Sequence, residues 1–355
     1  MKKTAVLLSG GVDSSVALKL LKEQGHNITA FYLKIWLEDE LAHLGNCPWE
    51  QDLSYVKKVC QQEQVPLKVI PLQQEYFDRV VSYAIAEIKA GRTPNPDIFC
   101  NHYIKFGAFL DHIDNSFDYI ASGHYANVVT KEDGTVSLKM SPDPIKDQTY
   151  FLSYLTQEQL KRLVLPLGNY HKEQIRALAH QFDLPTKDRK DSQGICFLGK
   201  LKFTDFIKHY LGTKEGDLIE FETDKKLGTH AGFYFYTIGQ RQGLGLAGGP
   251  WYVVKKDPEK NNVYISRTYY DADKKRDSFV VTNCNWIAGA VPHKKHVQVK
   301  MRHGAKKYEC ALEIVDNKSA RVQLQENDQG IAPGQFAVFY DEDVCLGAGV
   351  INAQL

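Results

Sequence analysis

No apolar stretch in this 355-residue sequence is long enough to cross a bilayer; runs such as Phe31 to Leu33 and Ala121 to Val129 are broken by polar residues, far short of the ~20 residues a spanning helix needs. A membrane partner is therefore not expected. Met1-Lys2-Lys3 leads at once into a strand-like segment and a glycine loop, which leaves no room for a secretory leader and predicts a cytoplasmic chain. Cysteine is sparse and unpatterned. The seven, at 47, 60, 100, 196, 284, 310 and 345, are odd in number and contain no CxxC, and no HxxxH occurs. That excludes a disulfide framework and argues against a structural zinc site. Charge bias is missing too: the net charge is +1, with 25% charged and 43% hydrophobic residues, the make-up of an ordinary soluble protein. The length predicts two or three domains at roughly 150 residues each.

What is present is a change of pattern along the chain. In the first half, strand-like "TAVLLS" (4–9), "ITAFYLKI" (28–35), "PLKVIPL" (66–72) and "YIASGHYANVV" (119–129) alternate with helical spacing over Ser14 to Gln24, Asp52 to Glu63 and Glu75 to Ala90. Such alternation predicts an α/β fold, a parallel sheet covered by helices on both faces, with ligands at the carboxyl ends of its strands. Two helical stretches, roughly 156–163 and 172–182, finish this half, and the charged run "TKDRKDSQG" (186–194) reads as loop. Short aromatic-rich strands and glycine turns then predict a small β-rich module, followed by five or six strands that suggest a closed β-barrel. The expected domains are 1–200, 201–275 and 276–355. At the start of the last, Arg276 to Lys307 holds seven Lys/Arg and one acid, Asp277; this is either a polyphosphate-facing surface or a solvated basic face.

The loop "SGGVDSS" (9–15) lies between the first strand and first helix. Gly10 and Gly11 let backbone amides approach an anion, Ser9, Ser14 and Ser15 add hydroxyls, and the helix directs its positive end at the ligand. The lysine of a Walker-type loop, which neutralises the β- and γ-phosphates, is missing. Asp13 would repel phosphates unless it held a metal, so Mg²⁺ bridging Asp13 and the phosphates is expected. Amides, serines and metal suit a leaving pyrophosphate, with cleavage between the α- and β-phosphates.

Two cysteines stand apart from the rest. "GRTPNPDIFCN" (91–101) reads as a rigid proline-containing loop ending in Cys100, with Asp97 before it; "DSQGICFLG" (191–199) carries Cys196 between glycines. Each is expected on a loop where a thiol reaches solvent, with Lys105, Arg189 and Lys190 near enough in sequence to lower a thiol pKa from about 8.5. Cys60, Cys284, Cys310 and Cys345 fit helix or strand patterns and read as buried. Cys47 is undecided.

The loop resembles the SGGxDS signature of the PP-loop ATP pyrophosphatases, which implies substrate adenylation with release of pyrophosphate. The ordered set "LLSGGVDSS", "AGRTPNPDIFCN", "ASGHYAN", "KDQTYFL", "DSQGICFLG", "YTIGQRQGLG" and "PGQFAVFYDEDVCLGAG" is similar to that of the tRNA-specific 2-thiouridylases, over essentially the whole chain. The resemblance implies a PP-loop ATP-binding domain, a β-rich central domain and a tRNA-binding barrel. It also implies ATP with Mg²⁺ as cofactors, an anticodon-loop uridine of Lys, Glu or Gln tRNAs at wobble position ~34 as target, and a sulfur-relay protein or cysteine desulfurase as donor. By the same resemblance Leu7, Leu8, Ser9, Gly10, Gly11, Val12, Asp13, Ser14, Leu33 and Gly123 match ATP contacts. Asn95, Pro96 and Asp97 match the target-base pocket; Lys146, Asp147, Gln148, Arg302 and His303 match tRNA contacts. Cys196 matches the persulfide carrier, Cys100 the nucleophile and Asp97 the acid/base. After turnover the two cysteines would be joined in a disulfide, which needs Cα atoms within about 7 Å.

Leu33 stands where the family commonly has methionine, and Gln242 where it commonly has lysine. His124 is either a nucleotide contact or structural. Tyr236, Gln240 and Arg241 either brace RNA or shape a turn. Two other functions share the loop: an amide-forming or lysidine-forming ATP pyrophosphatase, which has no need of Cys100 and Cys196, and a nonenzymatic RNA-binding protein switched by ATP, which would release no AMP.

Overall fold

A computed structural model describes residues 2–36, 49–190 and 202–353. The first half is built on a sheet of five strands in the order β3-β2-β1-β4-β7, every pairing parallel. β1 (Lys3–Leu7) passes through the glycine loop into α1 (Val12–Glu23) and returns as β2 (Asn27–Lys34). α2 (Trp49–Glu63) leads to β3 (Leu67–Pro71). α3 is one continuous run of Gln73–Tyr76, a π-helical stretch Phe77–Val81, and Ser82–Lys89.

The proline-containing segment is not loop to its end. Pro96–Phe99 is helical and continues through the π-helical Cys100–Ala108 into Phe109–Asp111, together α4. Proline with its fixed φ suits the first turn of a helix, so only residues 91–95 remain loop. The segment 119–129 is also not one strand. β4 (Tyr119–Ala121) ends at the sheet's carboxyl edge, and β5 (Ala126–Thr130) forms a hairpin with β6 (Val136–Met140). That hairpin leaves the parallel sheet, because β6 pairs with the last strand of the chain. α5 (Thr149–Leu152), α6 (Gln157–Lys161), β7 (Leu163–Val164) and α7 (Lys172–Gln181) complete this half.

Apolar periodicity decides how the helices seat. In α1, Val12, Val16, Ala17 and Leu20 pack with Ile175 and Ala179 of α7, the i, i+4 faces meeting. On the sheet's other face, Phe31 meets the ring of Phe109 edge-on at 5.0 Å, in the core that also encloses Cys100.

α8 (Phe203–Leu211) leads to a four-stranded sheet of β8 (Gly216–Glu220), β9 (Lys226–His230), β10 (Tyr252–Asp257) and β11 (Asn262–Ser266), in the order β10-β11-β8-β9. β12 (Ser278–Trp286), β13 (His296–Lys300), β14 (Tyr308–Asp316), β15 (Ser319–Leu324), β16 (Phe336–Asp341) and β17 (Val344–Ala353) run in the order β12-β15-β14-β13-β16-β17. β12 also pairs with β17, which closes six strands into a barrel. The architecture is thus an α/β parallel-sheet domain, a small β-rich module and a β-barrel. No helix among the described residues is long and apolar enough to cross a membrane.

Candidate active site

Leu7 ends β1 and Leu8 and Ser9 follow it, Leu33 is next to last in β2 opposite Ile70, and Gly123 follows β4, so neighbouring strands carry the expected nucleotide residues to one edge. α1 begins without a side-chain cap, which leaves its first amides for an incoming anion. The loop is braced internally, as Ser9 N donates to Ser14 Oγ at 3.2 Å and Ser15 Oγ donates to Gly11 O at 2.8 Å. Gly123 fits because it lacks a side chain: a Cβ there would lie 2.7 Å from the amide nitrogen of Ser14.

Charge at this loop comes from residues that no local pattern announced. Lys172, first residue of α7, donates through Nζ to Asp13 Oδ1 at 2.6 Å, and Tyr125 OH donates to the same oxygen at 2.7 Å. The Lys172 side chain is only 12% exposed, so this ammonium is held at the loop. Asp143 fixes its backbone by accepting from Lys172 N at 3.0 Å. Arg189 donates to Gly10 O at 2.6 Å and to Asp52 Oδ1 at 2.7 Å. The lysine missing from the loop's sequence thus arrives from the helix packed on α1. Open amides, serine hydroxyls and two cations fit a polyphosphate. Among the described residues no three His, Cys, Asp or Glu side chains converge as a metal cage. Asp13 alone with phosphate oxygens and water is nonetheless a donor set that Mg²⁺ accepts.

His124 connects this loop to the second part of the site. Its Nδ1 pairs with Ser122 Oγ at 2.8 Å and its ring lies 6.1 Å from that of Phe106 on α4. Burial, with Lys105 adding to it, holds its pKa well below the ordinary value, so the ring is neutral at pH 7.

Asn95, Pro96, Asp97 and Cys100 lie together at the start of α4. Cys100 is not an exposed loop thiol: it is free and fully buried. Burial pushes its pKa up to about 11; Asp97 adds to the rise, while Lys105 and Tyr76 oppose it without winning. Arg189, expected to help a thiol, is engaged at the phosphate loop instead. Asn95 Oδ1 is buried and has no partner among the described residues. Cys196, Cys47 and the segment around each lie outside the described residues. Cys60, Cys284, Cys310 and Cys345 are buried free thiols.

The third group also comes together. His303 stacks on Phe151 with centroids 4.7 Å apart and its Nε2 is 3.1 Å from Asp147 O, so Lys146–Gln148 and Arg302–His303 border one another. Asp147 itself does not face this surface. Its carboxylate is buried, accepts from Thr149 Oγ1 at 2.8 Å and pairs with buried Lys300 at 3.2 Å; two charges removed from water hold each other. Gln148 Oε1 accepts from Tyr125 N at 3.0 Å. The basic run is also less positive than its composition: Lys294, Arg302 and Lys306 face Asp341, Asp328 and Glu326. Gln240 folds onto its own turn, accepting from Thr237 N at 3.1 Å and donating to Gln242 O at 2.9 Å, which is the work of a turn residue.

Comparison with known proteins adds three matching families in chain order: the tRNA methyl transferase HUP domain over residues 2–200, the tRNA methyl transferase PRC-barrel domain over 204–267, and the aminomethyltransferase beta-barrel domain over 276–351. The chain is 44% identical over 356 residues to a tRNA-specific 2-thiouridylase of Parabacteroides distasonis, covering 98% of each chain. It is 44% identical over 355 residues to one of Bacteroides thetaiotaomicron, with 98% and 99% covered. Against one of Porphyromonas gingivalis it is 43% identical over 362 residues, with 98% of each covered.

Proposed function

The chain belongs to the tRNA-specific 2-thiouridylase family, and from that premise we propose how its residues divide the work of an ATP-dependent tRNA-uridine 2-sulfurtransferase. Residues 1–200, 201–275 and 276–355 act as the ATP-binding catalytic, central and tRNA-binding units. ATP lies with its phosphates on residues 7–14 and its nucleoside between Leu33 and Gly123. The C2 oxygen of wobble uridine ~34, turned out of the anticodon loop, attacks the α-phosphorus and pyrophosphate leaves. Lys172 follows the departing charge from its resting place on Asp13. Asp13 would hold Mg²⁺, which would supply charge neutralisation for the leaving pyrophosphate.

Adenylation turns a poor leaving group into AMP. The terminal sulfur of a persulfide on Cys196 attacks C2 and AMP leaves. The Cys100 thiolate then attacks Cys196 Sγ; a disulfide forms between the two cysteines, the persulfide S–S bond breaks, and sulfur stays on C2 as 2-thiouridine. Asp97 handles the proton at the uracil ring. A thiol reductant reopens the disulfide and a cysteine desulfurase or relay protein reloads Cys196. Gln148, Lys146, Arg302 and His303 contact Lys, Glu or Gln tRNAs, Asp147 positions them through Lys300, and the reaction runs in the cytoplasm.

The observation that supports this reading best is the placement of Gly123 and His124, which touch the phosphate loop on one side and the helix of Cys100 on the other. Activation and sulfur delivery thereby share one edge of the sheet. The test mixes protein, ATP, Mg²⁺, unmodified tRNA, a cysteine desulfurase with free cysteine as sulfur source and a thiol reductant, and weighs the nucleosides; 2-thiouridine with AMP is expected, and its absence with competent tRNA contradicts the reading.

A further inference from the structure

The segment 143–148 has an exposed outer edge and buried roots. Ile145 is exposed with Lys146 half-buried beside it, while Asp143 and Asp147 are buried. Asp143 Oδ1 accepts from Ile145 N at 3.0 Å and Lys146 N at 3.1 Å, and its Oδ2 accepts from Lys172 N at 3.0 Å. Burial works to raise its pKa, but the three amides outweigh it and hold the group below the ordinary carboxylate value, so it is an anion with backbone donors on both sides. One oxygen shapes the turn that carries Lys146. The other seats the residue whose ammonium lies on Asp13.

A second line runs from the same segment to the same place. Gln148 takes both main-chain groups of Tyr125: its Oε1 accepts from Tyr125 N at 3.0 Å, and its own N donates to Tyr125 O at 2.9 Å. The buried Tyr125 then carries its hydroxyl to Asp13 Oδ1 at 2.7 Å, the oxygen that Lys172 Nζ reaches at 2.6 Å. Two separate routes thus join the surface at Lys146 to one carboxylate oxygen of the phosphate loop.

We propose that segment 143–148 is a positioning element between the two substrates: Asp143 acting through Lys172, and Gln148 acting through Tyr125, set the groups on Asp13 so that ATP and tRNA tighten each other's binding. This rests on the thiolation reading above and says how its two substrates are kept in step. Nucleotide phosphates draw the Lys172 ammonium and RNA phosphates draw Lys146. Because one carboxylate fixes both main chains, either ligand braces the groups that the other meets. Tyr125 stays on Asp13 when Lys172 leaves it, so the carboxylate beside the polyphosphate keeps a donor. Linkage makes the effect equal in both directions.

The test titrates the full-length enzyme with a nonhydrolysable ATP analogue, with and without saturating tRNA transcript, and with the transcript, with and without saturating analogue. In the wild type each ligand is expected to tighten the other by about tenfold, an ordinary coupling between sites, and by the same factor in both directions. Asp143→Asn keeps the volume, but an amide group accepts on one side only; Tyr125→Phe removes only the hydroxyl on Asp13. In each variant the factor is expected to fall to about twofold or less, whatever happens to either affinity alone. Should Asp143→Asn not fold, Tyr125→Phe decides by itself. A defect of stability or of one binding site changes the separate affinities and leaves the factor at its wild-type value; that result in either variant overturns the proposal. A wild type whose factor is unity overturns it as well. If that wild type still forms 2-thiouridine, this inference falls alone, and if it binds neither analogue nor tRNA, the reading of the reaction falls with it.

Discussion

The two ends of the site are built in opposite ways. The nucleotide end is a contiguous stretch, Ser9 to Ser14, at the mouth of one helix, with Lys172 and Arg189 in place before any ligand arrives. The base-and-thiol end is assembled from residues near 93–100, 150 and 333–336, and it buries Cys100, with its pKa pushed up to about 11. Preorganised amides receive phosphate without rearrangement, and Lys172 has only to leave Asp13. A protonated, fully buried thiol is no nucleophile until it is uncovered. On the proposed function, ATP is met by groups already at hand, whereas sulfur chemistry waits on RNA.

The sharpest separation of the ends comes from Cys100→Ser. Formation of 2-thiouridine is expected to fall below detection, by more than about 10³-fold, while tRNA-dependent release of AMP and pyrophosphate survives; loss of both together would merge the two ends into one. Lys172→Met strikes the other end. We expect kcat/KM for ATP to fall by roughly 10²-fold, the usual loss for one preorganised charged donor, with tRNA affinity unchanged in filter binding. A third experiment probes the burial of Cys100. For a thiol pushed up to about 11, the thiolate fraction grows tenfold per pH unit from neutrality towards 11, so alkylation of Cys100 in the free enzyme should climb about tenfold per unit between pH 7 and pH 10. A rate already levelled at pH 8.5 would mark an exposed thiol of ordinary pKa. The smallest effect lies on the barrel. Lys306, exposed and paired with Glu326, is expected on removal to weaken tRNA binding only a few-fold and to flatten the salt dependence by a slope of about one or less.

The two ends also differ in how far the sequence announces them. β1, the glycine loop and α1 are neighbours in the chain, so apolar run, turn residues and helical spacing describe the phosphate site together. The barrel follows from alternation in short strands. Lys172 reaches the phosphate loop because Ile175 and Ala179 pack α7 onto α1, and Arg189 is held beside it by Arg176 of α7, which donates to its carbonyl; no local pattern encodes either contact. Cys100 misleads for a related reason. Two prolines suggest an exposed loop, but Pro96 opens a helix and the surrounding apolar side chains carry the thiol into the core. Nothing local marks Asp147 as buried; that follows only from Lys300, far along the chain, folding against it. The hairpin of β5 and β6 reads as the end of a parallel strand, yet its pairing with β17 ties the first domain to the barrel.

The most direct measurement is pulse alkylation of Cys100 at pH 7.5, followed by peptide mass analysis, in the free enzyme, with a nonhydrolysable ATP analogue, and with the analogue plus tRNA. Negligible labelling in the first two states and rapid labelling once RNA is bound is the predicted result, as the nucleotide end is complete and the thiol end is not. Equal, fast labelling in all three would contradict the account.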